Sequence, residues 1–483
     1  MIAFFSSYWP HFLAAISIVT GAGAIAHAAM TKEDVRSAAG WVGVILLSPI
    51  LGAFIYFIAG VNRIRHKALA TRRSARHALL QESYGLAVSR SAIAECFSTQ
   101  FLPMKQVGDT VTRFPLTAGN TVEILGAGDD AYRAIAKAIE AARHSIILET
   151  YIFDRDRIGL RIADLLIAAH TRGVSVRVLI DSVGARYSVP SIVKSLRDHA
   201  VRTETFNGKV ITGLRLPYAN LRTHRKIIVV DNEIAFTGGM NIREAFSQEF
   251  RADAFAHDTH FRITGPVVAD LFSVAAEDWH FASGEKLAAV VHPPVTVVPT
   301  QPIFARVVSS GPDSSIETNH KMLMGAFSVA QRTIRIMSPY FLPDRELISA
   351  LVTAARRGVE IDVLVPSENN LTLVDRAMTA QFDQVIKHGC RIWRVQGQFD
   401  HSKLLTIDGE WSYVGSSNLD PRSLRLNFEV DLEILDTGFA KQIEDRMAQA
   451  MVGAHQVTLH ELRHRPLLLK LAEKILWLGS PYL

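Results

Sequence analysis

Two segments of this chain carry the same chemical groups at the same spacing. The first reads Thr223-His224-Arg225-Lys226-Ile227-Ile228-Val229-Val230-Asp231 and continues past Asn232 to Gly238-Gly239-Met240-Asn241. The second reads Asp400-His401-Ser402-Lys403-Leu404-Leu405-Thr406-Ile407-Asp408 and leads to Gly415-Ser416-Ser417-Asn418. Both fit H-x-K-x4-D-x6-G-[GS]-x-N without a gap. A lone H-x-K carries no information, whereas two full copies with duplicated flanks are highly specific. Imidazole titrates near neutral pH and can act as nucleophile or proton carrier. Lysine ammonium and asparagine amide groups are donors that neutralise charge on an anion. Two such sets facing one another would enclose an anion.

The elements around the motifs give the spacing a geometric reason. Residues two apart on a strand project from one face, so His224 and Lys226 are expected to point together, as are His401 and Lys403. Asp231-Asn232 and Asp408-Gly409 are two-residue hairpin signals, which makes the motif aspartates turn formers rather than catalysts. Folding back at such a turn would bring Gly238-Gly239 opposite His224 and Gly415-Ser416 opposite His401. Glycine there would let backbone approach a ligand, with Asn241 or Asn418 at the same end. Strands are expected at 145–153 and 174–180, joined by a helix ending at Gly173, with a helix capped at Asp129 before them. The second half matches with strands at 334–341 and 359–365 and a helix ending at Gly358. Arg143 and Arg332 precede Tyr151 and Tyr340 by the same eight positions. Strand–helix–strand order in each half implies two duplicated α/β lobes with mixed β-sheets flanked by helices.

Composition adds a membrane element. The chain has 483 residues, too many for one ordinary core. Its hydrophobic fraction is 48 %, and its 52 Lys+Arg against 47 Asp+Glu give a net charge of +5. That excludes a disordered chain and is too slight for a dedicated nucleic-acid protein. The apolar residues cluster: 1–31 and 37–62 contain no Asp, Glu, Lys or Arg. Each is longer than the roughly 20 residues needed to span a bilayer. Ala26-His27-Ala28 has the form of a cleavage site, but no basic residue precedes Phe4-Phe5, so an uncleaved transmembrane helical hairpin kinked at Pro49 is the expectation. Arg63, Arg65, Lys67, Arg72, Arg73 and Arg76 follow it and place the rest of the chain on the cytoplasmic side. The expected organisation is a hairpin at 1–62, a basic linker and helical segment at 63–120, lobes at 121–291 and 303–483, and a Pro/Val-rich linker at 292–302.

The paired motifs resemble the phospholipase D superfamily, whose signature is the duplicated H-x-K-x4-D, over the chain from Val122 onward. More narrowly the layout is similar to bacterial cardiolipin synthases. The features that carry this are the apolar hairpin, the basic stretch, Asn418-Leu419-Asp420-x-Arg422-Ser423-Leu424, Asn427-Phe428-Glu429, and Ser480-Pro481-x-Leu483. The resemblance implies a phosphatidyltransferase of a bacterial cell membrane, working on phosphatidylglycerol-like lipids through a phosphohistidine intermediate without metal or other cofactor. Carried over, the catalytic motif residues are His224, Lys226, Asp231, His401, Lys403 and Asp408. His224 is the nucleophile and His401 the acid and base, while Lys226, Lys403, Asn241 and Asn418 hold phosphate. Members also pair each histidine with an acid that fixes its tautomer. Glu429 fits the position after the second motif. Asp258 is the choice for the first half, with Asp253 and Glu249 as alternatives.

Other residues invite weaker readings. His257, His260 and His280 with Asp258 and Asp278 could be read as a metal site, but no local ligand pattern accompanies them. Tyr151 and Tyr340 end equivalent strands, either as ordinary packing or as the wall of a headgroup pocket. Residues 467–478 form an amphipathic helix, for the membrane surface or for packing on the second lobe. Cys96 and Cys390 read as small buried residues. The competing functions are a phospholipid hydrolase using the same residues and a non-catalytic lipid-binding scaffold.

Overall fold

The computed structural model describes residues 2–32, 35–60, 87–126, 128–207, 221–288, 303–312 and 315–480. The basic residues between Arg63 and Arg76 and the linker at 292–302 lie outside them. The chain divides into two units, the N-terminal helices and the duplicated α/β body.

In the first unit α1 (Ile2–Thr31) packs against α2 (Val35–Leu47) and α3 (Pro49–Ile55), followed by a π-helical turn at Tyr56–Gly60. Tyr8–Thr31 is long and apolar enough to cross a membrane. The second apolar stretch is not one continuous helix. Pro49 lacks a backbone donor and forces Ser48 out of helical geometry, at φ −150° and ψ 85°. The hairpin closes through His27 Nδ1 to the Tyr56 hydroxyl at 2.8 Å, and the Trp41 ring stands edge-on to Tyr56.

Among the described residues the body has sixteen strands. The first lobe holds β1 (Thr117–Leu125), β2 (Ser145–Thr150), β3 (Ser175–Asp181), β4 (Arg202–Phe206), β5 (Arg222–Thr223), β6 (Ile227–Val230), β7 (Ile234–Gly238) and β8 (His260–Thr264). The second holds β9 (Ile303–Ser310), β10 (Thr333–Met337), β11 (Glu360–Pro366), β12 (Arg391–Val395), β13 (Leu404–Ile407), β14 (Trp411–Gly415), β15 (Asn427–Leu435) and β16 (His455–Val457). One mixed sheet runs β16-β12-β11-β10-β13-β14-β15-β9-β1-β8-β7-β6-β2-β3-β4, with β5 paired to β15. Apart from β16, which has no counterpart, the order is mirrored about the β9–β1 seam, so each lobe repeats the other.

Both lobes share one plan: parallel β2-β3-β4 and β10-β11-β12 on the outside, antiparallel strands toward the seam. The parallel strands are covered by helices, with one face apolar and the other carrying buried polar groups such as Glu149, Asp181 and Asp362. Ile146, Leu148, Val176, Val178 and Ile180 face helices Gly128–Ala141 and Arg157–Thr171. The buried helix Val267–Ser283 covers the other side. Gly173 and Gly358 end the crossover helices as expected, at φ +92° and +94°, a conformation that favours glycine.

Three local expectations change. Asp129 lies in the first turn of its helix and instead accepts Ser247 Oγ and the Gln248 and Glu249 N–H groups. Cys96 is exposed, because the last turn of helix Arg90–Cys96 faces solvent, and Cys390 is buried. The segment before the first lobe packs on the second: Ile93, Phe101 and Met104 enter the core with Phe327, Ile334 and Trp411.

Candidate active site

The motif aspartates explain how each hairpin is held. Asp231 accepts N–H bonds from Arg143, His144 and Ser145, each at 2.8 Å. Asp408 does the same for Gln331, Arg332 and Thr333, at 2.7–2.8 Å. Each carboxylate thus fastens its hairpin turn to the start of the neighbouring strand, β2 or β10. Asp231, Asn232, Asp408 and Gly409 all take positive φ, as turn formers do. The turns, however, are three residues long. Val230 pairs with Ile234 and Ile407 with Trp411, so Glu233 and Glu410 are also in the turn. This extra residue moves the register by one. Gly238 falls beside Lys226 and Gly415 beside Lys403, not opposite the histidines.

His224 to Lys226 and His401 to Lys403 occupy the extended backbone just ahead of β6 and β13. That stretch is held by the opposite lobe. β5 pairs in parallel with β15, Thr223 against Phe428, and the His224 N–H donates to the Phe428 carbonyl at 2.8 Å. On the other side Asp400 bridges in parallel to His257, and the His401 N–H donates to the His257 carbonyl at 2.8 Å. In both cases the residue before the histidine pairs with the residue before an acid. The acid is therefore delivered to the histidine across the seam. His224 Nδ1 meets Glu429 Oε2 at 3.0 Å, and His401 Nδ1 meets Asp258 Oδ2 at 2.9 Å.

This corrects the expected assignment. Asp258 belongs to His401 and Glu429 to His224, because the residue before each acid pairs with the residue before the other lobe's histidine. Glu249 is exposed on the short helix Gln248–Arg251, away from this pairing. The side chain of Asp253 lies outside the described residues. With Nδ1 held by a carboxylate, Nε2 is the nitrogen left for chemistry on each ring.

One motif glycine makes room for an acid. A Cβ built on Gly239 would collide with the Asp258 carboxylate. At the equivalent position Ser416 keeps a side chain by donating its hydroxyl to Glu429 at 2.6 Å. Asn427 Nδ2 also donates to Glu429, at 3.2 Å.

The motif lysines fold back on their own histidines, and the motif asparagines are buried. Lys226 Nζ donates to the His224 carbonyl at 2.7 Å, and Lys403 Nζ donates to the His401 carbonyl and lies 3.0 Å from His401 Nδ1. Asn241 is buried and accepts the Ile152 N–H at 3.2 Å through Oδ1, whereas the buried Asn418 Oδ1 has no hydrogen-bond partner among the described residues. Tyr151 stands edge-on to His224 with ring centres 5.3 Å apart, and Tyr340 edge-on to His401 at 6.2 Å. Both strand-end tyrosines therefore wall the site. Phe246 and Phe399 also lie beside His401, a role that nothing in their spacing signalled.

Burying two ammonium and two imidazole groups together has a clear electrostatic result. Burial, then the Lys226 and Lys403 charges, hold His224 well below the ordinary imidazole range. Burial and Lys403 bring His401 down to about 4 against the pull of Asp258. Burial lowers Lys226 to about 7 and Lys403 to about 8, with Glu429 and Asp258 opposing the shift in both. Burial pushes Glu429 up, opposed first by Lys226. Together the four groups favour neutral imidazoles and weakened cations.

The alternative metal reading does not assemble. Asp278 is ion-paired to Arg225 and Asp258 to His401, and His257, His260 and His280 do not join them in a ligand cluster.

Duplicated lobes that share one sheet and exchange acids across the seam define a two-lobed phospholipase D-type protein. The comparisons agree. A family model described as "Cardiolipin synthase, PLD-like domain" matches residues 135–263 and 323–451, and a "Phospholipase_D-nuclease N-terminal" model matches 12–60. Cardiolipin synthase A of Pseudomonas fluorescens is 31 % identical over 99 % of both chains. Cardiolipin synthase of Alkalihalophilus pseudofirmus is 29 % identical over 92 % of this chain and 88 % of its own. The fold is also that of the phosphatidylserine synthase of Haemophilus influenzae, with a TM-score of 0.57 at 18 % identity over 79 % of this chain and all of that one. The chain belongs to the cardiolipin synthase family of phospholipase D-like proteins.

Proposed function

We propose that the chain makes cardiolipin by transferring a phosphatidyl group from one phosphatidylglycerol to another. The observation that carries this reading is the pair of buried His–Lys–Asn sets, each histidine backed by the other lobe's acid. His224 Nε2 attacks phosphorus, an N–P bond forms, the P–O bond to glycerol breaks, and His401 gives that oxygen its proton. His401 then takes a proton from a glycerol hydroxyl of the second lipid, whose oxygen attacks phosphorus as the N–P bond breaks. A covalent intermediate divides one difficult displacement into two. Lys226, Lys403, Asn241 and Asn418 hold the phosphate oxygens, and their charge lets an anionic diester accept a nucleophile. The anion also raises the His401 pKa, so that substrate binding charges the acid it needs. The assignment of nucleophile to His224 rests on the order of the motifs.

The N-terminal unit fits a two-pass anchor, with the break at Ser48–Pro49 inside the second pass, and the basic run after it favours a cytoplasmic body. The test is incubation of the purified protein with phosphatidylglycerol vesicles and mass spectrometry of the products. Cardiolipin and glycerol support the reading. Phosphatidic acid alone makes the chain a hydrolase, and unchanged lipid makes it a scaffold. Full activity in His224→Ala ends the mechanism.

A further inference from the structure

The helix Leu467–Leu478 covers the second lobe with one face and leaves the other bare. Leu469, Leu476 and Trp477 turn inward, and Glu473 is buried against Arg465 at 2.9 Å. At 100° per residue, Leu467, Leu468, Leu471, Ile475 and Leu478 fall within one arc of about 100°. That arc faces solvent: Leu468 is 80 % exposed, Leu467 76 % and Leu478 72 %. Lys470 and Lys474 line one border of it. Glu473 is the helix's only carboxylate and is hidden, so the helix's own exposed surface is apolar and cationic, with Asp383 of the adjoining segment 3.7 Å from Lys474.

The neighbouring element extends this surface. Helix Thr372–Thr379 packs alongside Leu467–Leu478, and its Leu373 and the preceding Leu371 are also exposed. Leu371 is one residue from Asn370, whose Oδ1 accepts the Tyr340 hydroxyl at 2.8 Å. Asn369 Nδ2 donates to the Pro339 carbonyl at 2.9 Å. The apolar face is therefore tied by a short rigid link to the tyrosine that walls His401.

We propose that this face, the outer side of Leu467–Leu478 with Leu371 and Leu373, is a docking surface for an anionic phospholipid leaflet. It rests on the reading of the chain as an enzyme of anionic membrane lipids. Apolar side chains flanked by lysines bind such a surface by burial and charge together. A second copy of the chain would bring the lysines of two helices face to face, which charge disfavours. Docking here seats the second lobe on the source of its substrate and presses on the Tyr340 side of the site.

The test uses the full chain in phosphatidylglycerol-containing vesicles. A polarity-sensitive dye is attached to Leu468→Cys in a Cys96→Ser background, and a control dye to Lys441→Cys on the exposed face of helix Thr437–Met451. Nitroxide-labelled lipid is expected to quench the first dye at least about twofold and the second hardly at all, as a side chain in the interfacial region requires. Equal quenching at the two sites overturns the proposal. A blue shift at 468 without lipid quenching, with a dimer in sedimentation, overturns it in favour of self-association. Replacing Leu468 and Leu471 with Glu is expected to raise KM for vesicle lipid about tenfold with kcat within about twofold, from the apolar burial lost. Unchanged KM counts against docking. Quenching without cardiolipin formation would support docking while defeating the proposed function.

Discussion

The crossed pairing makes a sharp kinetic prediction. Glu429→Gln keeps the size of the side chain and removes its charge 3.0 Å from His224 Nδ1. Forming an N–P bond at Nε2 makes that ring cationic. A unit charge pair about 4 Å apart at an effective dielectric near 20 is worth about 4 kcal/mol. At about 1.4 kcal/mol per tenfold, intermediate formation should slow by roughly three orders of magnitude. A glutamine amide turned toward Nδ1 would also favour the wrong tautomer, which works in the same direction. Asp258→Asn should instead injure proton transfer by His401. The two are separated with a phosphatidyl donor whose leaving group is p-nitrophenolate, which departs without protonation. On that donor the pre-steady-state burst of p-nitrophenol should persist in Asp258→Asn and vanish in Glu429→Gln. On phosphatidylglycerol both variants should fail. A burst lost in Asp258→Asn and kept in Glu429→Gln would refute the assignment of roles.

Further outcomes follow from the same geometry. Because burial lowers Lys226 to about 7 and Lys403 to about 8, both lose their charge as pH rises. Stopped-time assays should therefore show kcat/KM for phosphatidylglycerol falling above pH 7 to 8, by about tenfold per unit for each proton lost. Asp408→Ala removes the acceptor of three backbone N–H groups and should cost about 2–4 kcal/mol in urea unfolding, with activity per folded molecule retained. The backbone donors at Arg143, His144 and Ser145 hold the Asp231 carboxyl below its usual range, so it contributes stability above the ordinary aspartate pKa. That contribution is lost as pH falls through the lowered value, and Asp231→Asn should flatten the acid limb of the stability profile. Gly239→Ala pushes a methyl against the Asp258 carboxylate and should reproduce the kinetic defect of Asp258→Asn, read as kcat in the same assay, with about 1–3 kcal/mol of overpacking.

What the chain discloses before folding divides along a physical line. The duplication, the strand–helix–strand order and the catalytic groups are local, and each is written within one half in period, turn residues and spacing. The structure keeps them, down to the aspartates as turn formers. The turn's true length was hidden, because Asp231-Asn232 has the form of a two-residue hairpin and Glu233 carries no contrary mark. The partner of each histidine was hidden for a deeper reason. Asp258 and Glu429 hold equivalent places in the two repeats, so sequence symmetry admits a paired and a crossed assignment equally. Only the seam between lobes breaks the tie. Phe246 and Phe399 are similarly silent, since their places beside His401 depend on loops folded over it.

The seam also explains why the repeat is useful. Each lobe alone has an imidazole, an ammonium and an amide, but its acid points outward to the other lobe. β15 pairs with β9 across seven residues, from Glu429 against Ser310 to Leu435 against Phe304. β9 then passes to β1, and β1 to β8, which starts just after Asp258. The strands that carry both acids are thus fastened to one another through two central strands, and the distance between the two histidine–acid pairs is set by backbone rather than by loops. The proposed mechanism requires a rigid spacing, because His224 Nε2 must attack phosphorus while His401 meets the leaving oxygen on the opposite side of the in-line displacement. Thr259 Oγ1 and Ser402 Oγ, 2.8 Å apart, add a direct side-chain tie across the same boundary. The catalytic unit is therefore the pair of lobes, and the sheet that joins them is as much a part of the site as the histidines it spaces.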